Sequence, residues 1–116
     1  MARAPLRDAW LVSDGRVLAS ASVTCTRAAR RRGLAGAREV PVPLVIEPCR
    51  WVHSVGVRCA LDVAYLDAAG DVVKVQRLAP WRVALPVPRA RRVVEAAAGS
   101  FARWGLRPGV RVEVRG

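Results

Sequence analysis

In an extended conformation, Leu61-Asp62-Val63-Ala64-Tyr65-Leu66 is apolar on both faces, interrupted by one carboxylate. Asp62 shares a face with Ala64 and Leu66, while Leu61, Val63 and Tyr65 line the other. A strand with this pattern has to be buried, and its carboxylate then needs a partner. The flanking chain suggests how the strand is paired. Val52 to Arg58 reads as a strand before it, with a tight turn near Cys59-Ala60. Asp67-Ala68-Ala69-Gly70 is a second turn, leading to Asp71 to Arg77, where Val73 and Val75 alternate with Lys74 and Gln76. Together the three segments predict an antiparallel meander.

The chain is 116 residues long and 53% hydrophobic, which predicts one domain over residues 1–116 with a proper core, not a disordered basic tail. Trp10 to Val12 and Arg16 to Ala19 flank the turn signal Ser13-Asp14-Gly15, predicting an N-terminal hairpin whose second arm runs from Val17 to Val23. Thr26 is placed to cap a short surface helix over Arg27 to Arg32, closed by Gly33. Val40-Pro41-Val42-Pro43 cannot be a central strand, because two prolines remove ladder donors. Leu44-Val45-Ile46 resumes a strand until Pro48. Leu78 to Pro88 is interrupted by proline and reads as a loop carrying Trp81. Ala90 to Ala98 is rich in alanine yet centred on Val93-Val94, and is read as a strand. Ser100 is expected to cap a helix from Phe101 to Trp104 ending at Gly105. After the turn Leu106-Arg107-Pro108-Gly109, Val110 to Val114 alternates as a half-exposed strand. The predicted class is α+β, with mostly antiparallel strands in a barrel-like curled sheet and two short helices.

Five separated segments, in order, carry a family resemblance. They are Arg32-Gly33-Leu34-Ala35-Gly36; Val52-His53-Ser54-Val55-Gly56-Val57-Arg58; Leu61 to Asp67 with Gly70 and Val72-Val73; Ala90 to Glu95 with Ala98-Gly99; and Gly105-Leu106-Arg107-Pro108-Gly109. Over about residues 24–114, after the first hairpin, the chain resembles the bacterial and archaeal family called domain of unknown function 192. The resemblance implies a fold and no biochemical activity. The chain departs from the family pattern at Ala35, Ala37, Ala60 and Val110, where Met, Arg, Pro and Asp are usual. Many relatives carry a signal peptide, and some sit in pilus-assembly gene neighbourhoods, which implies a protein partner of that kind.

Candidate chemistry is sparse. If Cys59-Ala60 is a turn, Arg58 lies opposite or diagonal to Asp62 and is its expected partner, a buried pair fixing the hairpin. The alternative is a ligand-binding or catalytic carboxylate. His53 is the only histidine, so a two-histidine metal site is excluded. Cys49 would neighbour it in a helical turn begun by Pro48, but would lie about 13 Å away along a strand. Even as neighbours they supply two ligands, so no metal and no cofactor is predicted. The candidate ligand-binding set is Cys49, His53, Arg58 and Asp62; a minimal enzyme would use Asp62, His53 and Arg58. Asp67 and Asp71 flank a turn that favours aspartate for its bonds to backbone amides. Gly33-Leu34-Ala35-Gly36 is not a phosphate loop, since no Gly-Lys-Ser/Thr follows.

Basic residues number 20 against 9 acidic, a net charge of +11, and every cation except Lys74 is arginine. That imbalance fits either GC-rich coding bias or a polyanion-binding surface. Arg27, Arg30, Arg31 and Arg32 form one cluster, and Arg82, Arg89, Arg91 and Arg92 another. Trp51, Trp81 or Trp104 would be available to stack on bases. Three cysteines without CxxC spacing predict reduced thiols in a cytoplasmic protein. Met1 to Trp10, with Arg3, Arg7 and Asp8, holds no apolar run of signal length, and no transmembrane span is predicted. The leading expectation is a non-enzymatic domain binding a protein or small molecule through its central hairpin. A sequence-tolerant nucleic-acid binder and a minimal enzyme are the alternatives, and a pocket beside Asp62 would discriminate among them.

Overall fold

The computed structural model describes residues 6–116; residues 1–5, Arg3 among them, lie outside the described residues. β1 (Leu6–Ser13) and β2 (Arg16–Thr24) form the expected hairpin. Asp14 and Gly15 both have positive φ, 51° and 72°, the backbone of a type I′ turn that matches strand twist. Both arms are longer than the apolar alternation suggests. The ladder continues to Leu6↔Thr24, with the side chains of Leu6, Arg7 and Asp8 exposed. After Thr26 comes α1 (Arg27–Arg32). The Thr26 hydroxyl accepts from the Ala29 N–H at 3.0 Å, and Gly33 ends the helix.

β3 (Leu44–Ile46), β4 (Leu61–Leu66), β5 (Val72–Leu78), β6 (Arg92–Ala97), α2 (Ser100–Trp104) and β7 (Glu113–Arg115) complete the chain. The seven strands lie in the order β5-β4-β6-β3-β2-β1-β7. All pairings are antiparallel except β2 with β3, so the sheet is mixed, and α1 sits in the connection between these two parallel neighbours. The sheet curls into a half-barrel. Val110 accepts from the Val72 N–H and Val112 donates to Gly70, both at 2.8 Å, so the chain entering β7 links the start of β5 to β1. The last strand therefore begins later than its alternation predicts, because residues 110–112 make this closure instead.

The expected meander is half right. β4 pairs with β5 through the Asp67–Gly70 turn, where the Asp67 carboxylate accepts from Ala69 and Asp71. Its other neighbour is β6, in register Leu61↔Ala97 to Leu66↔Arg92, and not Val52 to Arg58. That segment is a loop with one bridge, His53↔Val83. Gly56, at φ 81°, bends it away, and a distant strand of matching valines occupies the place beside β4. There is consequently no hairpin turn at Cys59-Ala60. The strand reading of Ala90 to Ala98 holds, since flanking by β3 and β4 overrides the alanine preference for helix.

The sheet buries apolar side chains on both faces. Ala64, Leu66, Val94 and Ala96 join Leu11 and Phe101 on one side. Leu61, Val63, Tyr65 and Val93 join Ile46 and Val52 on the other. The face assignment read from β4 is thus as expected, and every residue of that strand is buried.

Candidate functional site: a basic-mouthed cavity over a buried acid

Two of the motif segments are stitched together through their backbones. Gly36 donates to Gly56 at 2.9 Å and Arg58 to Ala37 at 2.8 Å. Ser54, fully buried, ties the same loop to the next one: its hydroxyl donates to Ala79 at 2.5 Å and accepts from the Arg82 N–H at 2.8 Å. These bonds tie the loop that follows Cys49, Trp51 and His53 to the segment after α1 and to residues 79–82.

A cavity of about 290 Å³ opens between α1 and the Cys49–His53 loop. Arg27, Arg30 and Arg31 of α1 stand on one side, Cys49, Trp51 and His53 on the other, with Ile46, Val52 and Gly33 between. Its innermost polar group is Glu95, at the centre of β6, flanked by Leu44 and Val63. Glu95 is 1% exposed, and its Oε1 has no hydrogen-bond partner. Gly33 passes directly over it: a Cβ there would stand 3.6 Å from that oxygen. With φ 52° and ψ −127°, Gly33 also has a backbone that side-chain-bearing residues avoid.

Burial dominates the electrostatics. It pushes the Glu95 carboxyl up to about 8, so the acid is mostly neutral at pH 7. Burial likewise raises the Cys49 thiol, with Glu95 adding to the shift, and takes the Tyr65 phenol up to about 12. None of Arg27, Arg30 and Arg31 makes an ion pair among the described residues. The mouth is therefore positive and the floor uncharged but polar.

The structure gathers Cys49 and His53, from the candidate ligand set, with Arg27, Arg30 and Arg31 from the arginine cluster. Arg32 does not line the cavity. Neither do Arg58 and Asp62. Arg58 is exposed, and Asp62 points to the opposite face of the sheet from Glu95. The expected Arg58–Asp62 pair is replaced. Asp62 Oδ2 accepts from the backbone of Gly99 at 2.9 Å and of Phe101 at 3.1 Å, and Oδ1 accepts from Arg77 at 3.2 Å. Asp62 thus caps α2, whose first residue is Ser100; Ser100 is not the cap, and Gly99 at the N-cap position has no side chain to offer. His53 and Cys49 are each locally satisfied. The Val55 N–H donates to His53 Nδ1 at 3.1 Å, and Cys49 Sγ donates to the Trp51 carbonyl at 3.0 Å. No group of three His, Cys, Asp or Glu side chains among the described residues is placed to hold a metal ion.

The second arginine cluster is largely engaged: Arg92 pairs with Glu47, Arg89 with Asp67, and Arg91 donates to Pro88 and Ala90 carbonyls. Trp104 packs on Phe101 with ring centroids 5.7 Å apart, whereas Trp51 and Trp81 are exposed. No helix among the described residues is long and apolar enough to cross a membrane. Sequence reasoning did not single out Glu95 as a site residue. The signal was an acid at an alternating inward position of a valine-rich strand.

The profile of the family DUF192, described as "Uncharacterized ACR", matches residues 9–114, taking in most of the β1–β2 hairpin as well as the five motif segments. The chain belongs to the DUF192 family. Two solved structures share its fold. One, a protein of unknown function from Novosphingobium aromaticivorans, is 18% identical with a TM-score of 0.75, covering 93% of this chain and 84% of that one. The other, from Sinorhizobium meliloti and described as a "putative transcription regulator", is 18% identical with a TM-score of 0.78, covering 98% and 97%. No curated protein matches the sequence. The comparisons establish a DUF192 fold and no activity.

Proposed function

We propose that this DUF192 domain is a non-enzymatic binding module for a small molecule, with its site in the cavity between α1 and the Cys49–His53 loop. The observation that carries this reading is the unpartnered, buried Glu95 oxygen at the cavity floor. A polar atom buried without a partner costs about 1–3 kcal/mol, and a ligand that hydrogen-bonds to it recovers that cost. A binding role is favoured over catalysis because Asp62, His53 and Cys49 each have separate local partners and none is hydrogen-bonded to another. The site is displaced from the central hairpin to the far side of the sheet.

Because His53 is the only histidine, its ring resonances report on the cavity without ambiguity. Titration with a set of compounds of 8–12 heavy atoms is expected to move those resonances to saturation for at least one member (about the size such a cavity holds). Cys49→Phe, which puts a ring into the cavity, should weaken the response. Resonances that stay fixed throughout the set, or that move equally in the Cys49→Phe variant, would overturn the assignment. Saturable, steeply salt-dependent binding of a single-stranded oligonucleotide, unchanged in the Cys49→Phe variant, would place function on the arginine surface instead.

A further inference from the structure

The cavity has a chemical polarity, and that polarity selects a class of ligand. Its mouth carries the cations Arg27, Arg30 and Arg31, which no carboxylate among the described residues neutralises. Its middle is apolar, from Ile46 and Val52, and one wall carries the exposed Trp51 ring, tilted 6.2 Å from His53. Its floor is a single hydrogen-bonding group, Glu95. We infer that the site takes a small organic acid: an anionic group held by the α1 arginines, a compact apolar or aromatic body, and an uncharged hydrogen-bonding group at the far end that meets Glu95. This inference rests on the cavity's being a ligand site and adds the ligand's charge and orientation.

Three physical arguments converge. Arginine forks match carboxylate oxygens in bidentate geometry, and α1 presents three of them from one helical turn and a half. A cationic ligand would have to displace like charge at the mouth to reach the acid at the floor, and that acid is itself mostly uncharged at neutral pH. A neutral carboxyl is both donor and acceptor, so it can serve a hydroxyl or an amide but gives no Coulombic reward for a cation. Gly33 lies against Oε1, where a Cβ would stand 3.6 Å from that atom, so a larger side chain at this position would crowd the acid.

Three size-matched probes separate the classes: 4-hydroxybenzoate, 4-hydroxybenzamide and 4-hydroxybenzylamine, with benzoate testing the far end. Followed by the His53 ring resonances at pH 7, the acid is expected to bind at least tenfold tighter than the amide, and the amine weakest. Arg27→Gln with Arg31→Gln should erase the preference for the acid, and benzoate should bind more weakly than 4-hydroxybenzoate. Glu95→Leu, which removes the hydrogen-bonding head at similar volume, should abolish that last difference without affecting the preference for charge. Equal or tighter binding of the amine, or a preference for the acid that survives the arginine substitutions, overturns the ligand class while leaving the cavity as a site. Failure of all four compounds to move the His53 resonances overturns both.

Discussion

Phe101 donates its backbone N–H to the Asp62 carboxylate at 3.1 Å, across 39 residues of chain. The Gly99 N–H shares the same oxygen, so an acid on a central strand serves as the N-terminal cap of α2. Arg77 is a secondary partner, because its side chain is 61% exposed against 8% for Asp62. Asp62→Ala should destabilise by roughly 2–4 kcal/mol, since it orphans buried helix amides. Asp62→Asn keeps an acceptor and should cost less. Arg77→Ala should cost below about 1 kcal/mol, and Arg58→Ala should lie within about 0.5 kcal/mol of the parent. Urea unfolding of the four variants checks the order. An Arg77→Ala cost equal to that of Asp62→Ala would show that the ion pair, not the cap, holds the element.

The buried acid makes stability fall as pH rises. Glu95 in the fold protonates at about 8, against an ordinary value of 4.5, so between those values the folded chain holds a proton that the unfolded chain has lost. The contribution is fully present below about 4.5, declines through the window and levels off above 8. From pH 5 to pH 8 the loss should be on the order of 4 kcal/mol. Cys49 and Tyr65, both shifted upward, titrate beyond this window. Arg27, Arg30, Arg31 and His53 also face the cavity. Glu95→Gln is the control: its unfolding free energy should lose most of the slope. A slope unchanged in that variant would move the cause to another group.

Closure of the half-barrel depends on the absence of a side chain at residue 70. Gly70 has φ 90°, and a Cβ there would stand 2.7 Å from the Val112 carbonyl oxygen. Backbone cannot yield as a flexible side chain would. Gly70→Ala should therefore cost at least about 2 kcal/mol and weaken protection of the Val72 and Val112 amides from hydrogen exchange. Full protection of both amides in a stable variant would contradict this account of closure.

Thr26 anchors the helix that carries the cationic mouth. Thr26→Ala removes the acceptor for the Ala29 N–H and should destabilise by about 1 kcal/mol. Because Arg27, Arg30 and Arg31 follow within two turns, the same change should weaken binding of 4-hydroxybenzoate more than that of 4-hydroxybenzamide. Thr26→Ser, which retains the hydroxyl, should restore both stability and selectivity.

Local chemistry was legible in the amino-acid order. The Asp14-Gly15 turn, the Thr26 cap, the Gly33 stop and the Asp67 turn all depend on bonds or backbone angles within about four residues. The two-sided burial of Leu61 to Leu66 followed from its composition alone. Which strand lies beside β4 did not: Val52 to Arg58 and Arg92 to Ala97 both carry valines at usable positions, and only the closed sheet gives the place to β6. That choice sets the rest. It removes Arg58 from Asp62, brings Gly99 and Phe101 to that carboxylate, and puts Glu95 beneath Gly33, 62 positions away in the chain. Turns and caps are decided by neighbours along the chain, whereas a buried acid acquires its partners, or lacks one, only when distant strands share the same limited interior.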